Sequence, residues 1–212
     1  GLWMNIRVLV VAEFFVLIFG LLIALARTNK NPIFFPIRLA ATAYTDIFRG
    51  LPLLLVLLLV GFGIPGLGLS WLPNSAVLLG TISLILTYSA YVAEVIRAGI
   101  EAVHPAQRMA ARALGLSNAQ TQRHVVLPQA LRKVTPPLLN DLVSLQKDSG
   151  LISVLGAIDA IRAAGIETAQ SFNFTPYLVA GFFFVLLTIP LTRFTDWLTR
   201  KQDLARQQQG QW

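Results

Sequence analysis

Few side chains in this sequence could do chemistry, and the ionisable ones sit in unusual places. Glu13 lies within the apolar run Ile6–Ala26, Glu94 near the end of Ala76–Ile100, and Asp141 within Gln129–Leu145. An ionisable group embedded in such a run is costly in lipid, so it faces protein or a water-filled space. Asn140 adjoins Asp141, Ser144 follows within a turn, and Lys147 and Asp148 come next. Asp141 stands thirteen residues beyond Pro128, about 20 Å of helical rise, with Lys147 and Asp148 about 10 Å further on. That puts Asp141 near mid-membrane. Two uses of these groups are open. They could line a path and hold the ammonium or carboxylate of a small polar solute, or they could pair internally, as Glu94 can with Arg97 one turn away. Pairing is preferred for Glu94, and the two readings stand level for Asn140, Asp141 and Ser144. Glu13 has no evident partner.

Reaction chemistry is harder to find. There are no cysteines, so no disulfide, thiolate metal site or cysteine nucleophile can form. His104 and His124 lack ligand spacing and read as exposed or capping residues rather than a metal pair. No Ser, His and acid share one depth, and no G-x-x-x-x-G-K-[ST] loop is present to cradle phosphates. The net charge of +7 comes from basic residues separated by long apolar runs, which does not make the folded basic surface that nucleic acid requires. The chain is read as neither an enzyme nor a nucleic-acid binder, with no cofactor or metal of its own.

The elements that must position these groups are membrane spans. Of 212 residues, 55% are hydrophobic and 13% charged, with mean hydropathy +0.66; a soluble domain carries about 25% charged residues. A hydrocarbon core about 30 Å thick needs roughly 20 residues of helix. The sequence predicts an all-α integral membrane protein with five transmembrane helices, at about 6–26, 38–62, 76–100, 129–145 and 177–198. One domain covers residues 1–201, followed by a polar tail, 202–212. The second span should kink or break at Gly50-Leu51-Pro52. Ile152–Ile166, interrupted by Asp159 and Arg162, reads as a short helix buried in protein or near the surface. Val8–Ala26 is too long for a secretory apolar region and reads as a retained span; what precedes Gly1 is open.

Orientation follows from the short loops. Arg27, Lys30, Arg38 and Arg49 follow span one; Arg97, Arg108, Arg112, Arg123, Arg132 and Lys133 surround the connection after span three; Arg193, Arg200, Lys201 and Arg206 mark the end of span five. The opposite side has the uncharged loop Gly63–Ser75 and a mixed segment with Asp148, Asp159, Arg162 and Glu167. Positive loops stay in the cytoplasm, so the N-terminus is expected outside and the C-terminus inside.

The loop 101–128 then becomes the centre of interest. Pro105 suits the first turn of a helix and Gly115 its stop. Met109-Ala110-Ala111-Arg112-Ala113 between them favours helix and offers a small, closely approachable face. Ser117 with Gln120 three residues on makes a capping box for a second helix. Two short capped helices on a glycine turn form a rigid knob suited to a socket on another protein. A basic helix lying on anionic lipid is the competing reading.

This stretch resembles the signature loop of bacterial ATP-binding-cassette importer permeases: Ala110-Ala111, Gly115 and Val125-Val126-Leu127-Pro128 stand at the family's spacings. Phe48-Arg49-Gly50-Leu51-Pro52 is similar to the FRGTP motif of the polar amino-acid branch, and Ala90–Ile100 to its AYxAExxRGGI motif. Leu127–Arg132 and Pro136-Pro137 with Asn140 also match. The resemblance implies a permease subunit with a coupling helix between spans three and four, residing in the bacterial inner membrane and surrounded by lipid. Its implied partners are a cytosolic ATPase dimer that binds the ATP and Mg, an extracytoplasmic amino-acid-binding protein, and a second permease chain. Coupling would fall to His104, Pro105, Gln107, Arg108, Met109, Ala110, Ala111, Ala113, Leu114 and Gly115. Candidates for the amino-acid path are Asn140, Asp141, Ser144, Glu94 and Lys147. A permease for methionine or another small solute is the alternative, and a secondary transporter a more distant one.

Two positions depart from the family pattern. Met109 stands where the signature usually has Glu, which points to an unlike partner permease supplying that carboxylate. Lys147-Asp148-Ser149-Gly150-Leu151 replaces the usual KDTSL, and Gly150 is expected to loosen the turn.

Overall fold

The computed structural model describes residues 1–29, 31–68 and 74–209, and among them every regular element is helical. The chain runs through α1 (Leu2–Thr28), a 3-10 turn (Pro32–Phe34), α2 (Phe35–Gly50), α3 (Leu53–Leu58), a π turn (Leu59–Gly63), α4 (Ile64–Gly66) and α5 (Ala76–Glu101). It continues with α6 (Pro105–Ala113), α7 (Asn118–Thr121), a second π turn (Gln122–Val126), α8 (Leu127–Asp148), a 3-10 segment (Ser149–Leu155), α9 (Ala160–Ser171) and α10 (Thr175–Gln209).

Helices α1, α5 and α10 are each long and apolar enough to cross a membrane; there are up to five spans if each of two bent pairs counts as one. The first bent pair carries the break expected in the second span at Gly50-Leu51-Pro52. Pro32–Gly50 and Leu53–Gly66 meet at 106°. Leu51 is extended (φ −89°, ψ 136°), as the residue before a proline tends to be. Its N–H closes α2 on the Ile47 carbonyl at 3.0 Å.

The fourth expected span, 129–145, sits inside a longer rod that begins at Asn118 and passes through the π turn into α8. Pro128 would disrupt a regular helix, because it crowds the carbonyl four residues back and cannot donate to it. The wider π turn just before it absorbs that misfit. The same pairing recurs at Pro65, which follows the π turn Leu59–Gly63.

The expected helix over Ile152–Ile166 is two elements instead. The 3-10 segment ends at Gly156 (φ 89°), a left-handed conformation that glycine adopts without cost, and α9 starts at Ala160. At the chain end, α10 carries helix through the expected tail as far as Gln209, while residues 210–212, residues 69–73 of the loop Gly63–Ser75, and Lys30 lie outside the described residues.

Packing follows a stripe of small residues. The buried positions of α1 are Asn5, Val8, Ala12, Val16, Gly20 and Ala24, recurring every three or four residues. They lay α1 along α5, and a Cβ on Gly20 would collide with Val92. Small residues at a span–span contact allow dense packing where burial of apolar surface gives no advantage over lipid. The other face of α1 exposes Trp3, Val10, Phe14, Leu21 and Leu22. The core joins Val8, Val16, Leu57, Leu84, Tyr88, Leu145 and Ile152, so it lies where α1, α3, α5, α8 and the 3-10 segment meet.

One end of this core is locked by polar contacts. Asn5 donates through Nδ2 to Asp159 Oδ2 at 3.1 Å and to Ser149 Oγ at 3.4 Å, and accepts from the Ala160 N–H at 3.0 Å. Asp159, fully buried, caps α9 by accepting from the Arg162 N–H at 2.8 Å. Gly150 tightens this region rather than loosening it: a Cβ there would stand 2.6 Å from Ile161 Cδ1 and 3.1 Å from Phe184 Cζ.

Candidate functional site

The short helix expected between Pro105 and Gly115 is present as α6, and its ends are built from local hydrogen bonds. His104 Nδ1 accepts from the Ala106 N–H at 3.2 Å, while Pro105 takes the first turn. At the other end Gly115 is left-handed (φ 84°). Its N–H reaches the Arg112 carbonyl at 3.0 Å, and the Leu116 N–H reaches that of Ala111 at 3.1 Å; together they form a Schellman stop. Arg112 Nη1 then donates to Asn118 Oδ1 at 2.9 Å, tying α6 to α7. Ser117 Oγ accepts from the Gln120 N–H at 3.3 Å and Gln120 Oε1 from the Ser117 N–H at 2.9 Å, so the capping box is complete.

Two details differ from the sequence expectation. Ala111 points inward and is buried, so the presented face is Gln107, Ala110 and Ala113 with Met109 (65% exposed) and Leu114 (83% exposed). The second helix is also no separate unit, since α7 continues through the π turn into α8. A presented helix is thereby joined by one glycine turn to a rod that enters the bundle.

Glu94 anchors a second constellation. Arg27 Nη1 lies 2.7 Å from its Oε2, Arg97 Nη2 2.5 Å from its Oε1, and Arg49 Nη1 3.8 Å from Oε2. Arg97 also reaches Glu101 at 2.5 Å. The pairing with Arg97 follows from helix spacing. Arg27 and Arg49 come from the last turns of α1 and α2, so one carboxylate gathers three helix ends. Arg49 belongs to the Phe48–Pro52 motif, which was a signal in the sequence; Arg27 carried none.

The third constellation is built around α8. Asn140, Ser144 and Lys147 share one stripe of α8, with Asn140 and Lys147 exposed on the single chain. Asp141, on the same helix, interacts electrostatically with Glu13 of α1 and Tyr88 of α5. Tyr88 donates to Asp148 Oδ2 at 2.7 Å. Asp141 Oδ2 is buried without a hydrogen-bond partner among the described residues. Neither Glu13 nor Asp141 forms an ion pair among the described residues. Glu13, without a partner in the sequence, thus has a neighbour 128 positions away. Tyr88 was missed because a tyrosine in an apolar run reads as core, which it also is.

Among the described residues no group of three His, Asp or Glu could hold a metal.

Known proteins resemble this chain over most of its length. Residues 16–203 match the model of the family described as binding-protein-dependent transport system inner membrane component. A Rickettsia conorii permease protein provisionally named for glutamine transport is 37% identical, covering 95% of this chain and 90% of its own. The arginine transport system permease protein of Bacillus subtilis is 34% identical, covering 95% and 90%. Among solved structures, a chain of an amino acid ABC transporter with histidines superposes with TM-score 0.86 at 35% identity, covering 95% of this chain and 92% of that one.

Proposed function

Because the chain belongs to the family of binding-protein-dependent transport system inner membrane components, we propose that it is the permease through which an ATP-binding-cassette importer carries a polar amino acid into the cytoplasm. It is a transport subunit and not an enzyme; ATP is hydrolysed by a separate protein. The amino-acid assignment is supported by what the relatives are named for and by the polar stripe of α8.

In this reading each bent pair is one span, giving five, with the N-terminus outside and the C-terminus inside the bacterial inner membrane. Helix α6 fits a groove on a cytosolic ATPase dimer that holds ATP and Mg. An extracytoplasmic amino-acid-binding protein loads the outer face. A second permease chain covers the exposed Asn140 and Lys147, and an unlike chain is favoured because Met109 removes a carboxylate from the docking face. Substrate passes along Asn140, Asp141 and Ser144, with Glu13 and Tyr88 joining the lining and Lys147 towards the outer mouth. Glu94 holds the cytoplasmic helix ends together instead of touching substrate.

The observation that carries the reading is the join of α6, through Gly115, to the continuous rod of α7, the π turn and α8. ATPase closure on α6 then moves α8, and with it the groups facing the path, as a rigid body. The test is ATP-driven uptake into proteoliposomes holding the whole complex, screened over acidic, basic and amide amino acids. Uptake of none of them, or an ATPase that does not co-purify, would count against it. Two copies of this same chain in the native complex would remove the unlike partner.

A further inference from the structure

A cavity of about 780 Å³ opens where the ends of α1 and α5 meet α6, the second π turn and the start of α8. Its apolar wall includes Leu25, Ile100 and Leu127, and its polar wall Arg108, Gln122 and Arg123. Glu101 also borders it, but its carboxylate is engaged by Arg97 at 2.5 Å. Arg108 turns back from α6 and donates through Nη2 to the Ile100 carbonyl at 3.0 Å. Its Nε is enclosed with no acceptor among the described residues, an arrangement that native proteins seldom leave unanswered. Neither Arg108 nor Arg123 has a carboxylate within 4 Å among the described residues.

We infer that this cavity takes an anionic phospholipid, its headgroup phosphate on Arg108 and Arg123 and its acyl chain along Leu25, Ile100 and Leu127. Two cations without a carboxylate beside an apolar wall match an amphiphile with a negative head. The site also lies at the ends of α1 and α5, two helices long and apolar enough to cross a membrane, where headgroups would meet the bundle. Basic pockets between span ends bind such lipids. A soluble anion would use the guanidinium groups but leave the apolar wall unused. The permease reading enters only in assigning the cavity to the cytoplasmic leaflet.

The test is lipid retention by the purified complex of this chain with its ATPase, read by native mass spectrometry in equal phosphatidylglycerol and phosphatidylcholine. Wild type should keep phosphatidylglycerol preferentially. Arg123→Gln, at an exposed side chain, should lower that preference about fivefold, and Arg108→Gln with Arg123→Gln should abolish it. Arg108→Lys, which retains the charge, should keep most of it, and Arg200→Gln on α10 should leave it unchanged. Equal retention by wild type and Arg123→Gln would overturn the inference. So would displacement of the lipid by millimolar inorganic phosphate, which would assign the arginines to a free anion. Lipid bound only after the ATPase is stripped away would give the cavity to the ATPase and equally overturn it. Uptake activity is a separate readout, so failure here leaves the transport reading standing.

Discussion

Arg27, in the last turn of α1, places its Nη1 2.7 Å from Glu94 Oε2 of α5, across 67 positions of sequence. Arg97 grips the same carboxylate from within α5, and Arg49 approaches from α2. Removing the acid would leave three like charges facing one another, which costs more than the lost attraction alone. Glu94→Gln should therefore lower stability by about 2 kcal/mol, less than a fully buried broken pair because the site is partly wet. Thermal melting of the detergent-solubilised complex reads this. A double-mutant cycle with Arg27→Met should return a coupling of about 1 kcal/mol; a coupling of zero would mean the contact contributes nothing to stability.

Gly115 is left-handed at φ 84°, and a branched side chain is strained there by about 1–2 kcal/mol. Gly115→Val should misdirect the join between α6 and the rod while sparing the bundle. The expected result is an assembled complex whose ATPase activity no longer drives uptake in proportion. Normal coupling in that variant would disprove the lever.

Asp141 and Glu13 interact electrostatically from different helices. Asp141→Asn should impair uptake at least tenfold with assembly intact, and Glu13→Gln combined with it should cost much less than the product of the two single losses. Unchanged uptake kinetics in Asp141→Asn would take that residue out of the path.

The space around Gly150 is closed by Ile161 and Phe184. Gly150→Val overpacks it and should cost about 1–3 kcal/mol, visible as a lowered melting temperature. If the valine variant melts with wild type, the contact is looser than its geometry implies.

Asn5 bonds both to the Asp159 side chain and to the backbone of Ala160. Asn5→Leu leaves two buried polar partners unpaired, at about 1–3 kcal/mol each. Faster proteolytic cleavage between the 3-10 segment and α9 is the expected sign, checked by limited digestion.

Much of this was legible without coordinates. Low charge and long apolar runs specify membrane helices. Pro105, Gly115, Ser117 and Gln120 define the ends of α6 and the start of α7, because capping is settled by residues a few positions apart. The spaced motifs pointed to the family for a similar reason, and Glu94 could be matched with Arg97 because helical periodicity alone brings them together. Other features needed the tertiary structure. A break at Pro52 was legible, but its 106° angle and the continuity of α7 with α8 depend on how the chain around Pro52 and Pro128 relaxes against its neighbours. Gly150 read as slack because a missing side chain frees the backbone, and only Ile161 and Phe184 arriving from elsewhere turn it into a close contact. Arg27 with Glu94, Glu13 with Asp141, and Asn5 with Asp159 are contacts between distant helices. Local spacing carries no record of such meetings, which the packing of one helix face on another decides.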